Sequence, residues 1–273
     1  MAGNGQGDQQ RLLATMPLHA ITSTYGEPGL RDRFAVEIAS WAEADRRRLE
    51  RALDLASRLH AGDRRDTEPY VNHLLRVAIR IMSHYGVHDT DVVCAALLHD
   101  AVEDHATDLA AWGGGADLGA GGGGADLAAG GGGADLAGPA DQQAALAVLA
   151  AEFGPRVAEL VGVVTNPPYA PDRDQDEQYR EHVADGLRDN PWARVIKASD
   201  FTDNGVGLIH TTGPRLYRLA GKYAPLVPVL RDLIARPDTP LDAAVKEHIL
   251  AQLDRAADRF AALQGHAGRG DGG

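Results

Sequence analysis

Residues 97–104 read LLHDAVED, and this octapeptide is the most informative stretch of the chain. It contains four titratable side chains, those of His99, Asp100, Glu103 and Asp104. Its other residues are leucine, alanine and valine. The apolar run before them predicts one helix over residues 89–104, on which residues four apart share a face. A polar stripe facing solvent is the alternative, but an adjacent His–Asp pair inside AALLHDAVED does not fit it. Such groups within so apolar a helix are costly unless a metal ion or partners satisfy them.

The composition around this stretch is that of a helical protein. Hydrophobic residues make up 44% of the 273 residues and aromatic residues only 5%, with alanine and leucine dominant, which favours helices over a β-sandwich. The formal net charge of -12 argues against a general nucleic-acid surface. A small anionic substrate remains compatible with this charge if a metal ion or clustered arginines neutralise it.

Cysteine usage and the terminal sequence predict a cytoplasmic protein. Cys94 is the single cysteine, so no internal disulfide can form, which fits a reducing compartment. The polar N-terminus lacks the features of a signal peptide. No stretch approaches the roughly 18 apolar residues that a membrane helix needs.

The domain organisation follows from composition and periodicity. We expect a loose N-terminal arm over residues 1–35, one helical domain over 36–264 and a disordered tail over 265–273. Within the domain, one helix is expected over residues 35–60, and RVIKASD (194–200) is interpreted as a short apolar run. Residues 113–138 form a Gly-rich repeat, interpreted as a flexible inserted loop. Its periodic aspartates also resemble calcium-binding nonapeptide repeats, but too few copies and too few large apolar residues argue against that reading.

The adjacent His99–Asp100 pair is a good start on a divalent metal site, but it offers too few ligands to close one. Imidazole nitrogen combined with carboxylate oxygen suits Mn²⁺, Fe²⁺ or Zn²⁺ better than Ca²⁺. His73 in PYVNHLLRVA and Asp200 in RVIKASDFTDN are candidates for the missing ligands. Taken alone, His73 would also fit the role of a satisfied core histidine.

Four segments together resemble the hydrolase domain of RelA/SpoT-type alarmone enzymes, within the HD phosphohydrolase superfamily. They are HAGDRRDTEPYVNHLLRVA, DTDVVCAALLHDAVED, FGPRVAELVGVVT and RVIKASDFTDN. The resemblance implies an all-α, single HD-domain helical bundle with the Gly-rich block as an insertion. It also implies a metal-dependent enzyme, with one Mn²⁺ per active site, that removes the 3′-pyrophosphate of guanosine tetra- and pentaphosphate. Since no synthetase domain follows, the chain resembles a stand-alone small alarmone hydrolase.

The resemblance carries functional roles to individual positions of this chain. The positions that match metal ligands are His73, His99, Asp100 and Asp200. The positions that match the catalytic pair, which positions and activates the attacking water, are Glu103 and Asp104. The positions that match substrate-binding residues are Arg65, Lys197 and Asn204.

Two departures from the family pattern leave the substrate open. Asp63 stands where the family usually carries glutamine, and residues 201–204 read FTDN where Arg-Leu-His-Asn is typical. A related nucleotide, such as the adenosine alarmone (p)ppApp, is therefore an alternative substrate. A further alternative is an antitoxin that neutralises a toxic small alarmone synthetase, which would be a partner through the shared pathway. The remaining histidines, including His60 and His105, are assigned to surface or packing roles.

Overall fold

A computed structural model describes residues 10–65, 68–113, 138–211 and 213–270 of the chain. Helices make up nearly all of the regular structure in these ranges. In chain order they are α1 (residues 10–15), α2 (Leu18–Ile38), α3 (Glu43–Leu59), α4 (Val71–Ser83), α5 (Thr90–Leu97), α6 (Ala101–Gly113), α7 (Pro139–Phe153), α8 (Pro155–Val164), α9 (Gln175–Arg188), α10 (Pro191–Asn204), the 3₁₀ helix η1 (Val206–His210), α11 (Pro214–Tyr223), α12 (Leu226–Ala235) and α13 (Ala243–Gly270).

The prediction of an all-α fold is confirmed. In the described ranges the only strands are β1 (Arg64–Arg65) and β2 (Glu68–Pro69), which pair antiparallel between α3 and α4. The Gly-rich repeat, with the two readings given to it, lies almost wholly outside the described residues, since 114–137 are not among them. The helices on either side of this segment, α6 and α7, pack against each other.

Almost every residue of helix α4 is buried, which shows that this helix lies at the centre of the fold. It packs against α2 on one side and against α5 and α10 on others. Three of its polar side chains, His73, Arg76 and Arg80, therefore have to find partners inside the protein rather than in water. Two of these helices, α4 and α10, carry most of the polar groups described below.

The single helix predicted over residues 89–104 is wrong in one important respect. Helix α5 is capped by the Asp89 side chain, which accepts hydrogen bonds from the backbone N–H groups of Asp91 and Val92. It ends at Leu97, and α6 begins only at Ala101. The Asp100 carbonyl accepts the first bond of α6, from the Asp104 N–H at 2.9 Å. His99 and Asp100 thus occupy a turn between two helices.

The apolar run RVIKASD is part of helix α10 rather than a separate extended segment. The helix begins at Pro191, where proline is favoured because the first helical turn needs no N–H from that residue. Eleven of its fourteen residues are buried, which explains why the sequence shows no clear amphipathic period. Asp200, Asp203 and Asn204 consequently lie on one face, three and four residues apart.

The described residues near both ends are helical where the sequence suggested an arm and a tail. Residues 18–38 differ from a loose arm, since α2 buries Leu30 and Phe34 in the core. The backbone of Gly26, with a φ of 62° and a ψ of -150°, is not helical, so α2 consists of two helical segments joined by a kink at this residue. The predicted helix over residues 35–60 divides into α2 and α3, and residues 265–270 of the expected tail belong to α13.

Two further properties of the described residues concern the single cysteine and the apolar character of the helices. Cys94 is fully buried on α5, as a small apolar core residue would be. No helix in the described ranges combines the length and the apolar character needed to cross a bilayer.

The burial of α2 generates the first prediction. Phe34→Ala should lower the free energy of unfolding by about 3–5 kcal/mol, because the ring is 2% exposed and its removal leaves a cavity. Urea denaturation followed by circular dichroism measures the change. Ser23→Ala, an exposed position on the same helix, is the matched control and should change stability by less than about 0.5 kcal/mol. Equal stability of Phe34→Ala and the parent chain would restore the loose-arm interpretation.

Candidate metal centre

Four side chains from three parts of the chain converge on one buried point. The Nε2 atoms of His73 on α4 and His99 in the α5–α6 turn lie 3.4 Å apart. Asp200 Oδ1, from α10, lies 3.4 Å from the first nitrogen and 3.7 Å from the second. Asp100 Oδ2 lies 3.6 and 3.1 Å from the same two nitrogens. The structure thus brings together all four residues that the sequence predicted as metal ligands.

The two imidazoles are held so that Nε2 faces this point. His73 Nδ1–H donates to Asp203 Oδ2 at 2.9 Å, and His99 Nδ1–H donates to the Ala96 carbonyl oxygen at 2.9 Å. Each ring thus directs its Nε2 at the cluster, and this nitrogen is the unprotonated one when the ring is neutral. A hydrogen-bonded second nitrogen is the usual arrangement of a metal-binding histidine, because it fixes both the tautomer and the ring orientation.

The field at the cluster favours a positive charge. Burial alone would lower the pKa of His99, yet the Asp100 and Asp200 carboxylates raise it to about 9. The side chains of all four residues are largely removed from water. Two nitrogens, two carboxylate oxygens and a negative field together suit a divalent transition-metal ion. The donor set therefore fits the divalent metal that the sequence predicted.

The predicted catalytic pair lies beside this cluster, and its two members differ in their contacts. Asn166 Nδ2 donates to both carboxylate oxygens of Glu103, at 2.9 and 3.0 Å. Asp104 lines the same pocket and has no side-chain hydrogen bond within the described part of the chain. Burial raises the pKa of both carboxyl groups, and the Asp100 charge raises them further. Asp104 is therefore the less restrained carboxylate.

Lys197 and Asn204 line the pocket and both contact a predicted metal ligand. Lys197 Nζ donates to Asp200 Oδ2 at 2.8 Å, and Asn204 Nδ2 donates to Asp200 Oδ1 at 2.6 Å. Both oxygens of Asp200 are thus fixed by its own helix. These contacts orient Asp200 whether or not the two residues also touch substrate.

Arg65 is placed differently from the other predicted substrate-binding residues. It is 7% exposed, and its guanidinium donates to Asn204 Oδ1 and lies 3.5 Å from Asp203 Oδ2. It is not among the residues that line the pocket. Arg65 therefore lies outside the pocket lining, where it contacts Asp203 and Asn204 of α10.

Asp203 is a functional residue that the sequence analysis missed. Besides His73, its carboxylate accepts hydrogen bonds from Arg76 Nε at 2.9 Å and from Arg80 Nη2 at 3.1 Å. Arg76 also binds Glu68 on β2, at 2.7 Å. Burial raises the pKa of Asp203, but the facing Arg76 and His73 hold it well below its usual range. If RVIKASD had been interpreted as part of a helix, Asp203 would have been predicted on the same face as Asp200, because the two are three residues apart.

Three other pocket residues were also missed: Tyr70, Asn166 and Tyr179. The Tyr70 hydroxyl donates to Asp100 Oδ2 at 2.8 Å, so it orients a predicted ligand from the start of α4. Asn166 belongs to the polar loop after α8, which sequence alone could not bring near Glu103. Their positions depend on long-range packing, for which the sequence carries no local signal.

The Asp203 contacts generate the second prediction. Asp203→Asn removes the charge that faces His73 and three arginines while keeping the side-chain shape. We expect divalent-metal affinity to fall about 10–100-fold, and stability to fall by about 3–5 kcal/mol because buried guanidinium groups lose their partner. Isothermal titration with Mn²⁺ and urea denaturation measure the two effects. Asp238→Asn, which faces Arg194 at an exposed position, should leave metal affinity unchanged. Unaltered Mn²⁺ affinity in Asp203→Asn would mean that this residue does not orient His73.

Comparison with known proteins agrees with this geometry. Residues 52–114, which include His73, His99 and Asp100, match the HD domain family. Human guanosine-3′,5′-bis(diphosphate) 3′-pyrophosphohydrolase MESH1 is 51% identical over 65 residues, which cover 22% of this chain and 36% of that protein. The Xenopus tropicalis protein of the same name is 50% identical over 60 residues, covering 20% and 33%.

A longer relative also matches part of the chain. The bifunctional (p)ppGpp synthase/hydrolase RelA of Mycobacterium tuberculosis is 41% identical over 78 residues, 28% of this chain and 10% of that protein. The matches thus span between a tenth and about a third of these relatives' own lengths. The HD-family match covers α4 and the α5–α6 turn, which hold three of the four predicted ligands, and part of the chain is similar to proteins named for (p)ppGpp hydrolysis.

Proposed function

We propose that the chain is a Mn²⁺-dependent hydrolase that removes the 3′-pyrophosphate of guanosine tetra- or pentaphosphate, yielding GDP or GTP and pyrophosphate. The observation that carries the proposal is the convergence of two imidazole nitrogens and two carboxylates beside the Glu103–Asp104 pair. The relatives named above support the same substrate class, since their names describe (p)ppGpp hydrolysis.

His73, His99, Asp100 and Asp200 would hold the divalent cation. When bound, such a cation offsets phosphate charge and lowers the pKa of a coordinated water. The protein contributes orientation: Asp203 and the Ala96 carbonyl fix the two imidazoles, while Lys197, Asn204 and Tyr70 fix the two carboxylates. Because these contacts exist before substrate arrives, little reorganisation is needed when it binds.

Asp104 is the better candidate for the proton acceptor. Its carboxylate faces the pocket without a hydrogen bond to hold it within the described part of the chain, and its raised pKa makes it a stronger base than an exposed carboxylate. Glu103 is tied by Asn166 and would orient the water or the substrate instead. The two adjacent carboxylates thus take different roles.

Positive side chains near the pocket would receive the phosphate groups. Lys197 lines the pocket, and Lys222 on α11 lies 4.7 Å from the ring centroid of Tyr179, another lining residue. Together with a bound cation, they would offset the negative charge of a pyrophosphate, which the acidic protein as a whole would repel. Arg65 would act through Asn204, which it contacts.

The base and the biological setting are less constrained by the site than the chemistry is. The alternative substrate is (p)ppApp, because Asp63 and residues 201–204 depart from the family pattern. The antitoxin setting, with an alarmone synthetase as the opposing enzyme, would use this same hydrolysis. Cytoplasmic location is part of the proposal because both nucleotides are intracellular.

The third prediction concerns the substrate. Purified protein loaded with Mn²⁺ should release pyrophosphate from guanosine tetraphosphate, and EDTA should abolish the release. A parallel assay with the adenosine counterpart, measured by pyrophosphate detection and anion-exchange chromatography of products, separates the two nucleotides. A faster reaction with the adenosine compound would show that this compound, and not guanosine tetraphosphate, is the preferred substrate. Absence of pyrophosphate release from both would refute the proposed function.

The fourth prediction concerns the ligands. Asp100→Ala should lose stoichiometric Mn²⁺ and turnover together, because it removes a carboxylate at the centre of the cluster. Bound metal is measured by mass spectrometry after gel filtration. Asp108→Ala, an exposed carboxylate in the same region, should keep one equivalent of Mn²⁺. Full Mn²⁺ retention by Asp100→Ala would remove this residue from the site.

The fifth prediction separates the two catalytic carboxylates. Asp104→Asn should lower kcat by about 10²–10⁴-fold, the usual loss for a general base, while Mn²⁺ remains bound. Glu103→Gln should lower kcat by only about 10–10²-fold, because it weakens an orienting contact with Asn166. Steady-state kinetics on both variants measures the contrast. A larger loss in Glu103→Gln than in Asp104→Asn would exchange their roles.

A further inference from the structure

A second polar cluster, formed by His60, Asp63 and His105, lies outside the metal pocket. His60 Nδ1–H and His105 Nε2–H both donate to Asp63 Oδ2, at 2.8 and 2.6 Å. The side chains of His60 and Asp63 are almost fully buried, and that of His105 is 15% exposed. The surface or packing roles assigned to the two histidines from sequence do not account for this arrangement. Neither does the function proposed above.

The cluster holds the helix that presents the catalytic pair. His105 directly follows Glu103 and Asp104 on α6. Its backbone, with φ of -135° and ψ of 31°, departs from helical geometry and kinks α6 at this residue. The bond to Asp63 therefore ties the kink to the loop that precedes β1. The direction of the first turn of α6, and hence of both carboxylates, depends on this tie.

The same cluster also reaches a predicted metal ligand from the other side. The His60 ring stacks on Tyr70, with centroids 4.8 Å apart and planes inclined by 19°. Tyr70 donates its hydroxyl to Asp100 and its backbone N–H to the Asp63 carbonyl. Tyr70 is thus held at both its ring and its backbone by members of the cluster. Through it, the cluster contacts the group that orients Asp100.

Two histidines and a carboxylate could instead hold a second metal ion, but the contacts favour hydrogen bonding. The nitrogen–oxygen distances of 2.6 and 2.8 Å are hydrogen-bond lengths, shorter than the 3.1–3.7 Å found in the metal pocket. Moreover, His60 Nε2 is buried with no hydrogen-bond partner among the described residues. Metal-binding histidines normally have such a partner, as His73 and His99 do here.

We propose that His60, Asp63 and His105 form a positioning cluster that aligns the Glu103–Asp104 turn with the metal pocket. This inference rests on the proposed function, because it assigns the aligned carboxylates to catalysis. Asp63, which departs from the family pattern, and His105 would act together in this chain. None of the three residues lines the pocket, so they act through Asp104 and Tyr70 and do not touch substrate.

A double-mutant cycle tests the positioning role. Asp63→Ala should lower kcat by about 10–100-fold with little change in KM, because misplaced catalytic groups lose turnover more than substrate binding. In an Asp104→Asn background the same substitution should cost no more than about threefold, since residues that act as one unit are not additive. Equal losses in both backgrounds would overturn the proposal.

Conservative and remote variants separate positioning from simple destabilisation. His105→Gln keeps an N–H donor and should retain kcat within about threefold, whereas His105→Leu should match Asp63→Ala. This pair also replaces Asp63→Ala if that variant does not fold. Thr239→Val removes a buried hydroxyl that accepts from Arg194 and donates to the Leu233 carbonyl; Thr239 does not line the pocket, so this variant controls for lost stability. A loss of kcat in Thr239→Val as large as in Asp63→Ala would contradict a specific role.

A metal-binding arm gives a result that does not depend on the substrate. Titration with Co²⁺, followed by its visible absorption, should show one site in the parent chain and one in Asp63→Ala, with affinity about three- to tenfold weaker in the variant because Tyr70 loosens. If no nucleotide is hydrolysed, the proposed function fails while this arm still tests the cluster. Unchanged Co²⁺ affinity overturns the positioning role. A second Co²⁺ equivalent that Asp63→Ala removes would identify a metal site instead.

Discussion

The buried carboxylate of Asp203 is the constraint on which the site depends. It lies on α10 and accepts hydrogen bonds from three side chains of α4, so it fixes the distance between these two central helices. One of the three donors is His73, whose other nitrogen points at Asp200, a single helical turn from Asp203. A buried ionic cluster of this kind is tolerable only when its donors and acceptors are all matched. Here the matching also aligns the predicted ligands.

Electrostatic organisation divides the interior into two neighbouring zones. Behind the ligands, the guanidinium groups of Arg65, Arg76 and Arg80 surround one carboxylate. In front of them, four carboxylates line the pocket, and among the described lining residues only Lys197 carries the opposite charge. The carboxylates that line the pocket attract a cation, while the arginines behind the ligands keep Asp203 ionised. The overall acidity of the chain therefore says little about which charges a substrate meets.

The sequence predicted residue chemistry better than residue placement. The all-α fold was predicted from composition and periodicity, whereas the four ligands were predicted from the resemblance to a known family, with His99–Asp100 as the strongest local signal. The break after Leu97 was not predicted, since hydrophobic periodicity does not show that His99 and Asp100 lie in a turn between two helices. Asp203 was missed because a helix buried on all sides loses its amphipathic pattern. The pairing of Asp63 with His105 depends on tertiary contacts alone.

The burial of Cys94 has a practical consequence for labelling. The thiol is fully enclosed on α5, and burial raises its pKa to about 12. Since the thiolate is the reactive form, Cys94 of the native chain should react only very slowly with maleimides at neutral pH. A cysteine introduced at an exposed position of α9 or α13 would then react alone. The chain thus accepts a single fluorophore or spin label without removal of its own cysteine.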